Sequence, residues 1–438
     1  MDYFRGALGI FILLIIAFLF SSNKRKIDWR LVAMGIGLQI LFGLLVTKVS
    51  FITSILHGVS FAFVSFLDFA RDGAVFLFSG LAKNSASDPT ANHNFGVIFA
   101  FQVLPTIVFF SAVSTALYYL GVLQKIVYVI AWIMARTMRL SGAESLSVAG
   151  NIFLGQTEAP LLVRPFISKM TKSELMCLMT GGMATIAGAV LAAYVSFLGG
   201  DDPVERTRYA AYLLSASIMN APAAVVISKI LLPETEPEKI DRELKVNKEN
   251  LGVNLIDALS NGTTVGLKLA VNVGAMLMAF IAIIFALNGF FVGIVGHYTG
   301  LNEQIVVATN GQFTGLSLEY MLGQIFRLFA FIMGVEWKDT LIVGSLLGQK
   351  TVINEFIAYS SLSEIIGTSS NPLSQKSVII ATYVLCGFSN FSSIAIQIGG
   401  IGVMAPNQQA NLSRLGMKAL LAATFACMLT ATIAGAIT

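Results

Sequence analysis

The sequence predicts an all-α integral membrane protein with about eight transmembrane helices. Two observations predict it, the composition and the length of the apolar blocks. Of the 438 residues, 56% are hydrophobic and only 12% are charged. A soluble domain carries about 25% charged residues, so half that fraction leaves too little charge to cover a soluble surface. The apolar residues also form long blocks, and a helix that spans a bilayer needs roughly 20 of them.

The first apolar block is predicted to be a retained transmembrane helix and not a cleaved signal peptide. Residues 6–20 are apolar, and four cations follow the block: Lys24, Arg25, Lys26 and Arg30. A secretory signal carries its positive charge before the apolar run and a small-residue cleavage site after it. Because Lys and Arg concentrate in cytoplasmic loops, this cluster favours an amino terminus outside and a first loop inside.

Apolar blocks give the positions of the eight predicted spans. They lie at about residues 4–20, 30–49, 94–120, 174–198, 205–232, 264–296, 377–404 and 413–437. Three further stretches, 51–80, 122–140 and 318–336, mix polar with aromatic and aliphatic residues, which is typical of helices lying in the membrane interface. The loops that this topology places in the cytoplasm hold more Lys and Arg than the others.

A strongly polar segment, 233–250, divides the chain into two halves with the same order of features. We predict four parts: 1–93 with two spans and an interfacial helix, 94–232 as a first repeat, 233–250 as a cytoplasmic linker and 251–438 as a second repeat. Each repeat would hold a scaffold span, an interfacial helix, a hairpin and two more spans. The opposite predicted orientations of the halves are what an inverted repeat requires. Their literal identity is only Leu-Gly-Gln, at 154–156 and 347–349.

Two acids lie among apolar residues where a bilayer penalises charge, and Glu158 is the first. It belongs to the run NIFLGQTEAPLLVRPF (151–166), whose apolar flanks are each too short to span. Gly155 and Pro160 break a helix between the flanks, so we predict a hairpin that enters the membrane from one side. Its tip, residues 156–158, would face a wet cavity, because irregular backbone survives at membrane depth only there or inside protein. The alternative is an ordinary loop with Glu158 in water.

Glu355 is the second acid, in the run GSLLGQKTVINEFIAYSS (344–361). We predict a polar break at Gly348, Gln349 and Lys350, followed by Glu355 among apolar neighbours. An ionisable group in a span costs roughly 2.5–3.5 kcal/mol on insertion scales and is a functional hypothesis by default. The alternative is an exposed acid on an interfacial helix, paired with Lys350.

Two predicted spans contain polar and small residues that interrupt them. In 174–198 these are Thr180, Gly181, Gly182, Thr185 and Gly188, and in 377–404 they are Gly387, Ser389, Asn390, Ser392 and Ser393. Close helix packing explains the glycines equally well, but a buried Asn390 needs hydrogen-bond partners. Interrupted segments in both halves point to a transport site near the bilayer midplane. Carboxylates, amides and hydroxyls with Phe388 nearby suit a neutral, hydroxyl-rich ligand with an amide-like ring.

The motifs GQTEAPLLVRPF, NEFIAY and GFSNFSS resemble those of the concentrative nucleoside transporter family. The similarity runs from about residue 94 to the end, with Ile357 where the family motif NEFVAY has valine. The resemblance implies eight spans, three interfacial helices and two re-entrant hairpins in a homotrimer. It also implies an ion-coupled symporter, and not an enzyme, that imports nucleosides across the plasma (bacterial inner) membrane by elevator-like movement of a transport domain against a trimerisation scaffold.

Residue-by-residue matching of the motifs implies a nucleoside site and a sodium site. The nucleobase would contact the first hairpin at Gln156, Thr157 and Glu158, with Val190 nearby. The ribose hydroxyls would bind Glu355, Asn390 and Ser393, and Phe388 would pack on the nucleoside. Sodium would bind Asn151, Thr185 and the carbonyl oxygens of Leu154 and Ile186. A proton is the alternative coupling ion, because some bacterial relatives of the family use protons.

Composition and motifs argue against several other classes. The net charge is +4 and the cations lie in short loops, so no nucleic-acid partner is expected. The three cysteines, Cys177, Cys386 and Cys427, lie in apolar segments with no metal spacing, and no cofactor is expected. An intramembrane enzyme would need a nucleophile–base or metal constellation, and no HExxH motif occurs. A symporter for another small polar solute and a channel remain as alternatives.

Overall fold

The computed structural model describes residues 2–83, 98–200, 202–244, 252–368 and 373–438, and within those ranges its regular structure is helical. The helices before residue 140 are α1 (Asp2–Leu19), α2 (Trp29–Lys48), α3 (Ser50–Phe78), α4 (Phe99–Gln102), α5 (Leu104–Tyr119) and α6 (Val122–Met138). Up to residue 232 there follow α7 (Gly142–Asn151), α8 (Arg164–Ile167), α9 (Lys172–Ala184), α10 (Gly188–Gly199) and α11 (Pro203–Leu231).

The second half of the chain has the same helical character. Its helices are α12 (Leu255–Phe290), α13 (His297–Thr299), α14 (Leu301–Ala308), α15 (Leu318–Ile332), α16 (Thr340–Val352), α17 (Glu355–Gly367), α18 (Gln375–Leu385), α19 (Phe391–Met404) and α20 (Gln409–Ile437). Short 3-10 turns lie at Lys24–Lys26, Ser79–Leu81, Ala159–Val163, Pro237–Lys239, Trp337–Asp339 and Pro406–Gln408, and a π-helical turn, Phe291–Gly296, extends α12.

The described residues contain eight candidate membrane spans, the number that the sequence predicts. They are Asp2–Leu19, Trp29–Lys48, Ser50–Leu81, Phe99–Tyr119, Lys172–Gly199, Pro203–Leu231, Leu255–Thr299 and Pro406–Ile437. The chain is therefore an all-α membrane protein, as predicted. The first residues of the predicted span 94–120 and the end of the linker 233–250 lie outside the described ranges.

One member of the set differs from the prediction. The predicted span 377–404 is not among these candidates, because the break at 386–390 divides it into two half-helices, α18 with 11 residues and α19 with 14. The stretch 51–80, predicted as interfacial, enters the set because α3 has 29 residues, about 43 Å at 1.5 Å per residue. An interfacial position for α3, α6 and α15 stays a prediction, as do the four boundaries of the predicted parts.

Helices α5 and α12 form a closely packed pair. A Cβ atom added to Gly262 would lie 2.7 Å from Thr115 Oγ1, and one added to Gly266 would lie 2.7 Å from Ser111 Cβ, so the backbones meet where α12 has no side chain. Away from these contacts, α12 exposes large apolar side chains such as Phe285. An apolar surface of this size is stable against lipid or another chain and not against water.

Helices α9, α10, α11, α18 and α20 form the core, in which side chains are buried on all sides of the helix. Fully buried examples are Leu175, Tyr194, Ala224, Leu385 and Cys427. All three cysteines are free and buried, as small hydrophobic residues are.

Hairpin 1 (residues 142–167) is a helix–turn–helix unit, as the sequence predicts for this segment. It consists of α7, an irregular tip at 152–158, a 3-10 turn and α8. Its first helix begins with a capping box between Ser141 and Glu144, and the Glu144 carboxylate also forms a buried ion pair with Lys229 of α11. The base of the hairpin is therefore fixed to the core, and the tip is the irregular part.

Hairpin 2 (residues 340–367) consists of α16 and α17, joined at residues 353–354. The predicted break at Gly348, Gln349 and Lys350 is wrong, because α16 continues through all three to Val352. Their polar side chains have partners on the helix and on its neighbours: Gln349 Nε2 donates to Ser345 Oγ (3.1 Å) and Lys350 Nζ donates to the Val384 carbonyl (2.7 Å).

The shared Leu-Gly-Gln therefore does not mark equivalent positions in the two hairpins. Residues 154–156 lie in the irregular tip of hairpin 1, whereas 347–349 lie inside α16. Gly348 has a packing role, since a Cβ there would lie 2.5 Å from the Leu322 Cβ of α15. Entry of either hairpin into the bilayer from one side stays a prediction.

Two interrupted helices meet at the centre of the core, at the two places where the sequence predicts interruptions. The first is broken at 185–187, between α9 and α10, and the second at 386–390, between α18 and α19. Both breaks are shorter than predicted: α9 continues through Thr180, Gly181 and Gly182, and α19 already includes Ser392 and Ser393. The breaks touch, because the Phe388 N–H donates to the Thr185 carbonyl (3.3 Å). Gly387 has φ +140°, and a Cβ there would lie 2.5 Å from the Ala184 carbonyl oxygen. We call residues 185–187 and 386–390 together the crossing.

Side chains from two other helices satisfy the backbone at the crossing. The Asn220 amide of α11 donates to the carbonyl oxygens of Ala184 and Cys386, each at 2.8 Å. The Cys427 thiol of α20 contacts the same two oxygens at 3.5 and 3.2 Å. These carbonyls lie at the carboxyl ends of α9 and α18, where a carbonyl oxygen has no N–H donor within its own helix.

Replacing Gly387 with alanine tests the packing at the crossing. We expect Gly387→Ala to destabilise the protein by at least ~2 kcal/mol, because the side chain requires an unfavourable φ and approaches a backbone carbonyl. Thermal denaturation of the detergent-purified protein measures this. Gly399→Ala is the matched control, since no described atom outside its own helix turn lies within 4 Å of the added Cβ. Equal melting temperatures for the two variants would contradict the described crossing.

Candidate functional site

Hydrogen bonds connect the tips of the two hairpins through the first turn of α19. Gln156 Nε2 of hairpin 1 donates to Ser393 Oγ at 3.2 Å. The Ser393 N–H donates to Asn390 Oδ1 at 2.9 Å, and Asn390 Nδ2 donates to Glu355 Oε2 of hairpin 2 at 2.7 Å. Four of the predicted nucleoside residues thus form one network, which we call the tip network.

Glu355 is 3% exposed and is held by side chains from two other helices. Tyr194 of α10 donates its hydroxyl to Oε1 at 3.0 Å, and Asn390 donates to Oε2. Glu355 begins α17 directly after its cap Asn354, and the amino-terminal turn of a helix favours negative charge. The alternative of an exposed acid paired with Lys350 is therefore wrong, because Glu355 is buried and Lys350 binds the Val384 carbonyl.

Glu158 lies in a cavity and not on an exposed loop. Its Oε2 accepts the Gly155 N–H at 2.9 Å, which folds the tip of hairpin 1 back on itself. The half-buried carboxylate lines a cavity of about 170 Å³ between this tip, the break of α9 and α10, and the pair α5–α12. Ser114 of α5 and Asn261 of α12 line the same cavity, so Glu158 shares it with polar groups from another part of the fold.

Thr157, Val190 and Phe388 lie around the tip network. Thr157 is half-buried, and its Cγ2 would be 2.9 Å from a Cβ on Gly400 of α19. Val190 is 2% exposed and lies one turn before Tyr194, on the same face of α10. Phe388 is half-buried within the crossing. Whether any of these residues contacts a ligand stays a prediction.

The side chains predicted to bind sodium lie at two adjacent helix ends. Asn151 is the last residue of α7 and Thr185 follows the last residue of α9, and both are buried. Asn151 Nδ2 donates to the Ser147 carbonyl at 2.9 Å, which leaves Oδ1 as a buried oxygen with no hydrogen-bond partner among the residues that the structure describes. An unpartnered buried oxygen is costly unless a cation or donor faces it.

The other two predicted sodium ligands are the carbonyl oxygens of Leu154, three residues after Asn151, and of Ile186, directly after Thr185. Leu154 and Ile186 lie in the tip of hairpin 1 and in the break after α9. The Gly188 N–H donates to the Phe153 carbonyl at 3.1 Å, which fixes the tip against the start of α10. Amide, hydroxyl and carbonyl oxygens are the ligands of hard cations, so this set of atoms fits sodium.

Sequence reasoning missed three buried polar residues of the site. They are Tyr194 on Glu355, Asn220 at the crossing and Gln397, whose Nε2 donates to Gln156 Oε1 (3.2 Å) and to the Met179 carbonyl (3.1 Å). Gln397 had a signal, because it is the single amide within the apolar run 394–402. Gly182 is a packing residue, since a Cβ there would lie 2.5 Å from Gln397 Nε2.

Three family models match the chain in succession. Residues 8–81 match the model described as Na+ dependent nucleoside transporter N-terminus, residues 100–201 match nucleoside recognition, and residues 212–435 match Na+ dependent nucleoside transporter C-terminus. Together they cover both hairpins and the crossing.

Curated relatives align along nearly the whole chain. Uncharacterized transporter YutK of Bacillus subtilis is 40% identical over 436 residues, which is 99% of this chain and 99% of that protein. Sodium/nucleoside cotransporter 1 of Rattus norvegicus is 39% identical over 443 residues, which is 98% of this chain and 62% of that longer protein.

Solved structures of the transporter CNTnw have the same fold. In an inward-facing substrate-bound state it is 38% identical, with a TM-score of 0.88 over 100% of this chain and 98% of that one. A variant of CNTnw in an outward-facing state gives a TM-score of 0.90 at 37% identity, over 100% and 99%. These matches confirm the resemblance that the hairpin motifs indicate. The chain belongs to the family of Na+-dependent nucleoside transporters and is a multi-pass membrane transporter, not an enzyme.

Proposed function

We propose that this protein imports nucleosides across the plasma membrane by symport with sodium, and that the tip network is its substrate site. Family membership supports sodium-coupled nucleoside transport. The observation that carries the site is the unbroken series of hydrogen bonds from Gln156 through Ser393 and Asn390 to Glu355. Both hairpins and one interrupted helix contribute side chains to this network. The affinity for a ligand bound there would therefore depend on the position of each of the three elements.

The polar groups of the tip network match the two ends of a nucleoside. Glu355 has two carboxylate oxygens with about four acceptor sites, and Tyr194 and Asn390 use two of them. The remaining sites can accept from the ribose hydroxyls. Gln156 can donate and accept at a base edge, and Thr157 and Glu158 adjoin it. Val190 and Phe388 supply apolar contact to the rings.

Sodium would bind beside hairpin 1 and order its tip. Asn151 Oδ1, which has no hydrogen-bond partner within the described ranges, offers an oxygen at the end of α7, and Thr185 and the Leu154 and Ile186 carbonyls would supply the others. Because the tip follows Asn151 directly, an ion bound there favours one arrangement of residues 152–158. Gln156 would then be presented to the nucleobase, so that sodium binding precedes nucleoside binding.

One sodium ion per nucleoside supplies enough free energy for uptake against a gradient. A tenfold sodium gradient is worth about 1.4 kcal/mol. One charge crossing 100 mV adds about 2.3 kcal/mol. The sum, about 3.7 kcal/mol, sustains a nucleoside gradient of roughly 500-fold.

Alternating access would proceed by movement of the site against the pair α5–α12. The cavity that holds Glu158 lies between the tip of hairpin 1 and this pair, which supports a boundary between a moving part and a scaffold. The exposed apolar surface of α12 supports assembly of scaffolds into a homotrimer. An elevator mechanism and a homotrimer are both part of this proposal.

Uptake into proteoliposomes tests the proposed function against its alternatives. We expect accumulation of uridine above equilibrium under an inward sodium gradient, and none under potassium. Uptake driven by a pH step without sodium would favour the proton alternative. Competition by amino acids but not by nucleosides would favour another solute, and a flux that never exceeds equilibrium would favour a channel.

Neutralising Glu355 tests its predicted role in nucleoside binding. We expect Glu355→Gln to weaken uridine binding by about 10- to 150-fold, because hydrogen bonds to a charged acceptor are worth about 1.5–3 kcal/mol. Calorimetric titration of the purified protein measures the affinity. Glu364→Gln, an exposed acid on the same helix α17, is the matched control and should bind normally. Normal uridine affinity in Glu355→Gln would remove Glu355 from the site.

Removing the predicted sodium ligands tests the ion site. We expect Asn151→Ala and Thr185→Val to raise the sodium concentration for half-maximal uridine uptake at least tenfold, because each removes one oxygen ligand. Thr180→Val is the matched control on the same helix: both threonines are buried and donate to a carbonyl one turn earlier, at 2.7 and 2.9 Å. An unchanged sodium dependence in Asn151→Ala would show that the assignment is wrong.

A further inference from the structure

Hairpin 2 contains a lysine that is completely buried. Lys350 is 0% exposed, and its ammonium group donates to the Val384 carbonyl at 2.7 Å. No carboxylate lies within ion-pairing distance of Lys350 among the described residues, in contrast to the other buried lysine of the core, Lys229, which pairs with Glu144. Burying an ammonium group costs several kcal/mol unless the surroundings compensate it. The position of Lys350 therefore needs an explanation beyond one hydrogen bond.

The partner of Lys350 belongs to the end of a half-helix. Val384 is the next-to-last residue of α18, which stops at Leu385 where the crossing begins. The last turn of a helix carries partial negative charge from its unpaired carbonyls, and a cation is stabilised there. Lys350 thus places a fixed positive charge at the carboxyl end of the second interrupted helix.

The first repeat has the corresponding arrangement without a lysine. Hairpin 1 ends its helix α7 at Asn151, beside the last turn of α9: Asn151 Nδ2 lies 3.5 Å from a Cβ placed on Gly181. Hairpin 2 likewise places Lys350, near the end of α16, on the last turn of α18. At the first position Asn151 Oδ1 is a buried oxygen without a partner in the described part of the chain, and at the second position Lys350 supplies an ammonium group.

We propose that the ammonium group of Lys350 is a built-in cation for the second repeat. It would stabilise the carboxyl end of α18, as a bound sodium ion would stabilise the carboxyl end of α9 in the first repeat. This proposal rests on the sodium site of the proposed function. The two repeats then solve the same electrostatic problem, the carboxyl end of a half-helix against a hairpin that carries an acid at its tip, in two ways. Hairpin 1 carries Glu158 and needs an ion from solution, whereas hairpin 2 carries Glu355 and brings its own positive charge.

The proposal predicts that the positive charge of Lys350 compensates the negative charge of Glu355. Removing the two charges should then have non-additive effects on the stability of the protein. A purely structural lysine would need only its hydrogen bond to Val384, and an amide could replace it. Lys350→Gln keeps a donor and removes the charge. It should therefore destabilise the protein while Glu355 is present, and the loss should shrink when Glu355 is neutral as well.

A double-mutant cycle on stability tests this in buffer free of sodium and nucleoside. We would measure melting temperatures of the full-length protein, Lys350→Gln, Glu355→Gln and the double variant. We expect Lys350→Gln to lower the melting temperature by several degrees, and Glu355→Gln to recover more than half of that loss. Lys229→Met combined with Glu355→Gln is the matched control, where we expect the two effects to add, because Lys229 pairs with Glu144.

Two results would overturn the proposal: additive losses for Lys350 and Glu355, or a Lys350→Gln variant as stable as the unmodified protein. If Lys350→Gln alone yields no folded protein, recovery of folding in the double variant supports the proposal, and failure of both to fold contradicts it. Because neither sodium nor nucleoside is present, a negative result leaves the proposed transport function untouched.

Discussion

Interrupted backbone at the centre of the core is the constraint on which the rest of this structure depends. Each break exposes carbonyl groups that no lipid can satisfy, so protein atoms must do it. Asn220 donates to both half-helix ends, at Ala184 and Cys386, and the Cys427 thiol contacts the same oxygens. Gly387 lets the two chains approach closely enough for one amide to reach both. The crossing therefore fixes where the second halves of both helices begin.

The second halves of the two interrupted helices, α10 and α19, contribute side chains to the proposed nucleoside site. The amino-terminal turn of α19 presents Asn390 and Ser393, and α10 presents Tyr194. Each hairpin then reaches the same place from its own side, with Gln156 on Ser393 and Glu355 on Asn390. A nucleoside bound at this proposed site would replace or extend these hydrogen bonds, so its binding would be coupled to the arrangement of four separate elements.

The sequence predicts much of the fold and of the proposed site. The features that it does not predict depend on tertiary contacts. Apolar block length identified seven of the eight candidate spans, and polar residues inside apolar runs identified Glu158, Glu355 and both interruptions. The continuation of α16 through residues 348–350 was not predictable, because the partner of Lys350, the Val384 carbonyl, is supplied by tertiary packing. Tyr194 was hidden for the same reason: an aromatic residue in an apolar helix has no local sign that its hydroxyl meets a carboxylate.

The central claim is that both hairpin tips close on one nucleoside, with the base at hairpin 1 and the ribose at hairpin 2. Crystals grown with sodium and 5-bromouridine test it most directly, because the anomalous signal of bromine locates one edge of the base. The account predicts a peak beside Gln156 and Thr157, with ribose density against Glu355. A bromine peak beside Glu355, or nucleoside density away from the tip network, would contradict it.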